Sequence, residues 1–259
     1  MRALDIFCGA GGASEGLRRA GFDVVGVDLH RKDSYPFKFL RRDALDLSVD
    51  FLRSFDFVWS SPPCQAFTAY KRRLDHVRAV ANLIPQTRDL LEAWGGPFVI
   101  ENVPGAPLRD PVQLCGSSFG LDVRRHRIFE TNFDAVSLPC NHGWQTPRFP
   151  PATNRKNLRR TVEVGVWRIP LDVQRRAMGV HWMSLEELSQ AIPPAYAEHL
   201  ANQAIPTIWS RNESETGRRP THSTTRTSRR SPIECDLELA SASESMAATR
   251  PAPTSTPAP

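Results

Sequence analysis

Two side chains in this sequence are of the right type, and in the right setting, to add to an electron-poor heteroaromatic ring. One is the thiol of Ser60-Ser61-Pro62-Pro63-Cys64-Gln65, the other the carboxyl group of Glu101-Asn102-Val103-Pro104-Gly105. Each closes an apolar run, FDFVW before the thiol and PFVIE before the carboxyl group. Proline restricts its own φ and the conformation of the residue before it, so Pro62 and Pro63 stiffen the loop that presents Cys64. A free thiol is only about a few per cent ionised at neutral pH unless its surroundings are electropositive, so Cys64 is a candidate nucleophile whose activation the sequence does not show. A carboxyl group one structural unit away can give or take the proton that such an addition requires.

A third group precedes them. Asp5-Ile6-Phe7-Cys8-Gly9-Ala10-Gly11-Gly12 places a glycine-rich turn directly after an apolar run and before a helical pattern, where backbone must approach a ligand closely. It departs from the dinucleotide fingerprint at Ser14 and lacks the Lys-Ser/Thr ending of a P-loop, so a cofactor without a pyrophosphate fits better. Asp28 closes the next apolar run, where a carboxylate can accept bonds from a ribose diol, and Asp43 lies near the end of a later extended segment. The plainer reading of both aspartates is a helix cap or a turn.

The elements that must position these groups alternate in the manner of βαβ units, which predicts an α/β doubly wound, Rossmann-like parallel sheet. Strands are expected at 3–7, 23–29, 55–60 and 97–101, with a further one at 127–131, and a helix at about 13–20. In open sheets of this class the ligand crevice lies beyond the carboxyl ends of the strands, where all these residues fall. From 132 to about 168 the pattern breaks into Pro, aromatic and basic residues, an irregular insertion. Helical texture returns at 171–178, 184–188 and 196–204. From about Arg211 the chain turns to Ser, Thr, Pro, Ala and Arg, a composition that cannot bury enough surface to offset its ordering entropy. The expected organisation is a catalytic domain over 1–131 and 171–209, a small insertion over 132–170, and a disordered tail over 210–259.

The 259 residues suit one domain of ordinary size, and the formal charge of +5 permits an anionic partner without requiring one. The basic residues are 29 Arg and 4 Lys, a balance that suits phosphate and base edges and that a GC-rich coding genome would also give. Cys8, Cys64, Cys115, Cys140 and Cys235 show no disulfide-framework spacing, which favours a reducing compartment. Cys115, Cys140 and His142 offer three zinc ligands at unhelpful spacing with no evident fourth, so no metal is expected. The first residues reach charge and glycine too soon for a secretory signal, and no apolar run is long enough for a membrane helix. A cytoplasmic monomer is expected.

The three blocks, in this order, resemble the cytosine C5-specific DNA methyltransferase family, whose pattern is a DxFxGxGG cofactor loop, a Pro-Cys nucleophile loop and a Glu-Asn-Val strand end. The likeness runs over roughly 3–131 and 171–205. It implies S-adenosyl-L-methionine as cofactor, with Phe7, Gly9, Gly11, Pro63 and Gln190 lining its pocket, Asp28 on its ribose and Asp43 near its adenine. It implies Cys64 adding to C6 of a cytosine flipped out of double-stranded DNA, Glu101 protonating N3, and Arg125 and Arg127 beside the flipped base or its phosphate. Two blocks depart from the family: Val123 stands for a glutamine ahead of Arg125 and Arg127, and Ser189-Gln190 for Gly-Asn. The insertion stands where the family has its target recognition domain and is short for one, with Arg148, Arg155, Lys156, Arg159 and Arg160 available to phosphates. One branch of the family methylates tRNA with the same blocks, and a catalytically silent nucleic-acid-binding homologue is the reading from another class.

Overall fold

The computed structural model describes residues 1–67, 81–143, 145 and 161–216. Its frame is a seven-stranded sheet built from β1 (Arg2–Ile6), β2 (Asp23–Asp28), β3 (Lys38–Arg41), β4 (Phe57–Ser60), β5 (Phe98–Asn102), β6 (Val112–Leu114) and β7 (Arg127–Thr131), in the order β3-β2-β1-β4-β5-β7-β6. The first five strands are parallel, whereas β7 runs antiparallel to both β5 and β6. Ala3, Leu4, Phe57, Val58, Trp59, Val99 and Ile100 are fully buried, as strands covered on both faces must be, and this is why they read as unbroken apolar runs. The order reverses direction on either side of β1, so the switch point lies between β1 and β4, with the crevice above their carboxyl ends.

The helices are α1 (Gly12–Arg19), the short α2 (Val49–Leu52), α3 (Ile84–Trp94), α4 (Leu171–Met178), α5 (Leu185–Gln190) and α6 (Pro194–Thr216). α1 and α6 cover one face of the sheet in close contact. A Cβ on Gly16 would stand 2.2 Å from the Pro194 carbonyl oxygen and 2.8 Å from Ala197 Cβ, so only glycine permits this approach. Leu17, Tyr196, Leu200 and Ala204 fill the layer between these helices and the strands.

The helix expected at 196–204 continues to Thr216, past the position 210 at which the tail was expected to begin. Its polar end is held in place: the Arg211 guanidinium lies 5.2 Å from the Trp94 ring centroid, and Asn212 Nδ2 donates to Asp56 Oδ1 at 3.4 Å. Residues 217–259, including Cys235, lie outside the described residues. Among the described residues, no helix is long and apolar enough to cross a membrane.

The described parts of the insertion pack on the sheet and its helices. Asn132 Oδ1 accepts from the Phe98 amide at 2.8 Å, and the Val136 amide donates to Gln203 Oε1 on α6 at 2.7 Å. On the far side, Val162 and Ile169 join Met178, Met183 and Leu188 in a second small core. Gln174, fully buried on α4, accepts from the Gly165 amide and donates to the carbonyls of Val166 and Ile169, each at 2.7 Å. Arg148, Arg155, Lys156, Arg159 and Arg160 lie outside the described residues.

α3 and β7 are joined by a buried ion pair. Arg88 Nε and Nη2 each donate at 2.7 Å to the two oxygens of Glu130, which also accepts from the Arg109 amide at 2.7 Å. Burial pushes the Glu130 carboxyl up, but the bonds from Arg88 and Arg109 outweigh it and hold the group below the usual glutamate range. Removing one member of such a pair leaves an uncompensated buried charge. Arg88→Met is therefore expected to cost about 3–5 kcal/mol, seen as a melting temperature lower by roughly 10 °C, and the double variant Arg88→Met/Glu130→Leu should recover much of the loss.

Candidate active site

A cavity of about 500 Å³ opens at the switch point, within the size range of small-molecule sites. Of the residues expected there, Phe7, Gly9, Asp28, Asp43, Pro63, Cys64, Glu101, Arg127 and Gln190 line it, whereas Gly11 and Arg125 do not.

The glycine loop shows backbone shaped for a ligand. Phe7, directly after β1, holds φ at 60°, a conformation uncommon for a side chain of its size and the kind of strain that collects at binding loops. Gly9 has φ 51°, and a Cβ built on it would meet nothing within 4 Å, so the loop leaves open room at that point. Gly11 serves the turn instead. It caps α1 in the left-handed conformation at φ 86°, and a Cβ there would meet the Tyr35 and Phe37 rings at 3.0–3.2 Å. The loop is fastened from both sides: the Trp182 indole donates to the Ala10 carbonyl at 2.8 Å, and the Gly9 amide to Asp28 Oδ2 at 3.0 Å. Beneath it, fully buried Asp5 accepts from the Ser14 hydroxyl, and burial pushes its carboxyl up to about 7.

Each oxygen of Asp28 accepts one backbone amide, Gly9 at 3.0 Å and His30 at 3.4 Å, which leaves lone pairs for a ligand. Asp43 combines both readings given it: Oδ1 caps a short 3₁₀ turn by accepting from the Leu45 amide at 2.9 Å, and the residue lines the cavity.

Cys64 stands in the loop after β4, half-buried. Fully buried Asn102 anchors that loop, its Nδ2 donating to the Pro62 carbonyl at 2.9 Å while its Oδ1 accepts from the Val103 amide at 3.0 Å. The Glu-Asn pair thus divides its work, with Glu101 facing the cavity and Asn102 tying the Cys64 loop to β5. Asn102→Ala leaves a buried carbonyl without its donor, at a cost of about 1–3 kcal/mol in stability. It is also expected to lower turnover through the Cys64 thiol by roughly 10²-fold by displacing Cys64, with ligand binding at the glycine loop little changed. A variant that loses ligand binding in step with turnover would contradict this positioning role.

Glu101 is buried at the end of β5, with Arg127 Nε 3.1 Å from its Oε1. Burial raises its carboxyl above the usual range, opposed by the charge of Arg127 and a bond from the Ser61 hydroxyl. Burial also raises the Cys64 thiol, and the Glu101 carboxylate adds to this, while Arg127 and Arg125 pull the other way. Thiol and carboxyl group therefore compete for protons across one cavity.

Arg125, expected beside a base or phosphate, has another task. Its Nε donates to the Ala191 carbonyl at 2.6 Å, and its Nη2 to those of Ser189 and Leu188 at 2.7 and 3.2 Å. These carbonyls end α5, where helical carbonyls lack partners, so the guanidinium caps the helix and ties the 123–127 segment to it. Burial pushes Arg125 down to about 9, and it remains charged at neutral pH.

His126, between these arginines, joins Cys115, Cys140 and His142, their ligand atoms all within 4.8 Å of one another. His126 is the fourth ligand-type residue, which spacing along the sequence does not reveal. The signal that finds it is the antiparallel pairing of β6 with β7.

Residues 1–110 match the family described as C-5 cytosine-specific DNA methylase. The chain is 28% identical over 166 residues to the Type II methyltransferase M.AgeI of Thalassovita gelatinovora, covering 50% of this chain and 38% of that protein. It is 32% identical over 128 residues to the Type II methyltransferase M.XorII of Xanthomonas oryzae pv. oryzae, covering 39% of this chain and 28% of that one. The chain thus spans well under half the length of these curated relatives. The crystal structure of the S. pombe Dnmt2 methyltransferase shares the fold at a TM-score of 0.53 and 13% identity, over 80% of this chain and 99% of that one. The segment that resembles this family contains the glycine loop, Cys64 and Glu101.

Proposed function

We propose that this protein is a DNA (cytosine-5-)-methyltransferase that uses S-adenosyl-L-methionine and a covalent Cys64 adduct. The observation that carries this reading is that Cys64 and Glu101 open onto one cavity with the glycine loop and Asp28, at the switch point of the sheet. The residues suit the cofactor. Gly9 leaves open room beside the loop, Asp28 retains lone pairs suited to a ribose diol, and Asp43 and Gln190 complete the wall. S-adenosylmethionine, when bound, supplies an electrophilic methyl group.

The chain's own residues do the rest. Stacking in a duplex covers the ring faces through which C6 must be attacked, so the target base is extruded into the cavity. The Cys64 thiol gives its proton to solvent, and the thiolate sulfur bonds to C6 as the C5=C6 π electrons shift to C4–C5 and those of C4=N3 to N3. Glu101, whose buried carboxyl group holds a proton more firmly than usual, delivers it to N3, and the ring becomes an enamine with C5 nucleophilic. Arg127 holds the Glu101 carboxyl group in place and balances its charge once the proton has left. After C5 carries the methyl group, loss of the C5 proton to solvent re-forms the C5=C6 bond and breaks the C6–S bond, restoring the thiolate, while the N3 proton returns to the Glu101 carboxylate. Arg125 acts as a positioning residue, locking the segment that carries Arg127.

DNA as the substrate is supported by the family match. Recognition is assigned to the insertion over 132–170, whose Arg148, Arg155, Lys156, Arg159 and Arg160 would grip phosphates and steepen the salt dependence of binding. The test is incubation with methyl-labelled S-adenosylmethionine and either cytosine-containing duplex DNA or tRNA. Label in DNA at C5 of cytosine supports the reading. Label in tRNA alone overturns the substrate, and label in neither overturns the activity.

A further inference from the structure

β6 and β7 pair antiparallel with Leu114 opposite Arg127. Carried one residue beyond the strand ends, that register sets Cys115 opposite His126, and directly opposed residues in such a pair hold their Cβ atoms about 4.5–5.5 Å apart. The chain leaving β7 then folds back over this corner. Ser118 Oγ donates to the Pro139 carbonyl at 2.9 Å, and the Asn141 amide to Ser117 Oγ at 3.1 Å, which brings in Cys140 and His142. Cys115 Sγ lies 3.2 Å from His142 Nε2, and His126 Nε2 lies 3.3 Å from Cys140 Sγ. The two imidazole rings converge from different directions, with centroids 5.2 Å apart and planes at 77°.

We propose that Cys115, His126, Cys140 and His142 form a structural zinc site. A tetrahedral zinc ion with bonds of about 2.3 Å to sulfur and 2.0–2.1 Å to nitrogen sets its ligand atoms roughly 3.3–3.8 Å apart. Two of the pairs already stand near that spacing, and all four atoms lie within 4.8 Å, so modest closure completes the tetrahedron. Two thiolates with two imidazoles suit zinc, a borderline-soft ion, better than hard cations, and four protein ligands leave no position for substrate. Two thiolates also neutralise the ion, which lets it sit beside the arginines flanking His126. Ser117 Oγ, 3.1 Å from Cys115 Sγ, supplies an outer hydrogen bond of the kind that orients a ligand. A Cys115–Cys140 disulfide, the competing reading, accounts for two of the four groups and leaves the convergence of the imidazoles without a cause.

The ion would staple the start of the insertion to the β6–β7 corner. It would thereby fix the segment from which Arg127 reaches Glu101. Its binding free energy would then add to the stability of that segment.

The test is zinc analysis of the untagged, full-length, reduced protein. About one zinc per chain is expected, together with intense visible absorption of tetrahedral geometry and a thiolate-to-metal charge-transfer band after exchange for cobalt(II). Cys140 is exposed, so Cys140→Ser is suited to spare the fold. Both Cys140→Ser and His142→Ala should lower zinc affinity by about tenfold or more, with unchanged far-ultraviolet circular dichroism. Cys64→Ser should retain the metal. Failure of the reduced protein to take up added zinc, zinc binding unaffected in both ligand variants, or recovery of Cys115 and Cys140 as a disulfide under reducing conditions would overturn the assignment.

Discussion

Cys64→Ser is expected, under the proposed function, to lower methyl transfer to DNA by about 10³-fold or more while the fold is retained. A hydroxyl ionises far less readily than a thiol and cannot replace it as the group that adds to C6. The structure sharpens this expectation. Burial and then the Glu101 carboxylate raise the thiol, with Arg127 and Arg125 only partly offsetting them. On the proposed mechanism, the thiol ionises in the complex with the extruded base, where Glu101 is engaged with N3. The rate in the free-enzyme regime, kcat/KM, should rise with pH on the alkaline side as the thiol deprotonates. Equal rates for Cys64→Ser and the unaltered protein would remove Cys64 from the chemistry.

Glu101→Gln is the second large effect, with opposite signs in two measurements. Methyl transfer should fall by about 10²- to 10⁴-fold, because an amide cannot supply the proton that N3 needs. The reaction of Cys64 with iodoacetamide at neutral pH should instead become faster. Removing the carboxylate removes a charge that raises the thiol and frees Arg127 from its ion pair at 3.1 Å, so the thiol falls and more of it is thiolate. The alkaline rise of alkylation with pH should shift to lower pH in this variant. Slower alkylation would mean that Glu101 acts on the thiol as a base, not as a competing negative charge.

The strands and the cavity were legible in the sequence wherever burial on both faces imposes an apolar run that a polar residue then closes. β1, β2, β4, β5 and β7 announce themselves in this way, and Asp28, Cys64 and Glu101 sit at or just beyond their ends. α3 escaped because its buried face carries Arg88 and Thr87 among Ile84, Leu91 and Trp94, so the ion pair with Glu130 interrupts the stripe that marks a helix. β6 is three residues long and exists through its pairing with β7. Side-chain targets were the least legible. Arg125 is of a type that would suit a phosphate, yet it serves the exposed carbonyls of α5, and Asn102 belongs to the expected block while its grip on Pro62 depends on the adjacency of β4 and β5. His126 was hidden because its partners come from either side of a strand pairing.

The most direct test of the account is a covalent trap. Duplex DNA carrying 5-fluorocytosine at the target position should form a denaturant-stable complex with the protein in the presence of S-adenosylmethionine, since fluorine at C5 cannot leave as the proton does and the C6–S bond persists. Mass spectrometry should place the attachment on the peptide containing Cys64, and Cys64→Ser should form no complex. Attachment through Cys8 or Cys140, or methylation of cytosine with no trapped complex, would contradict the account.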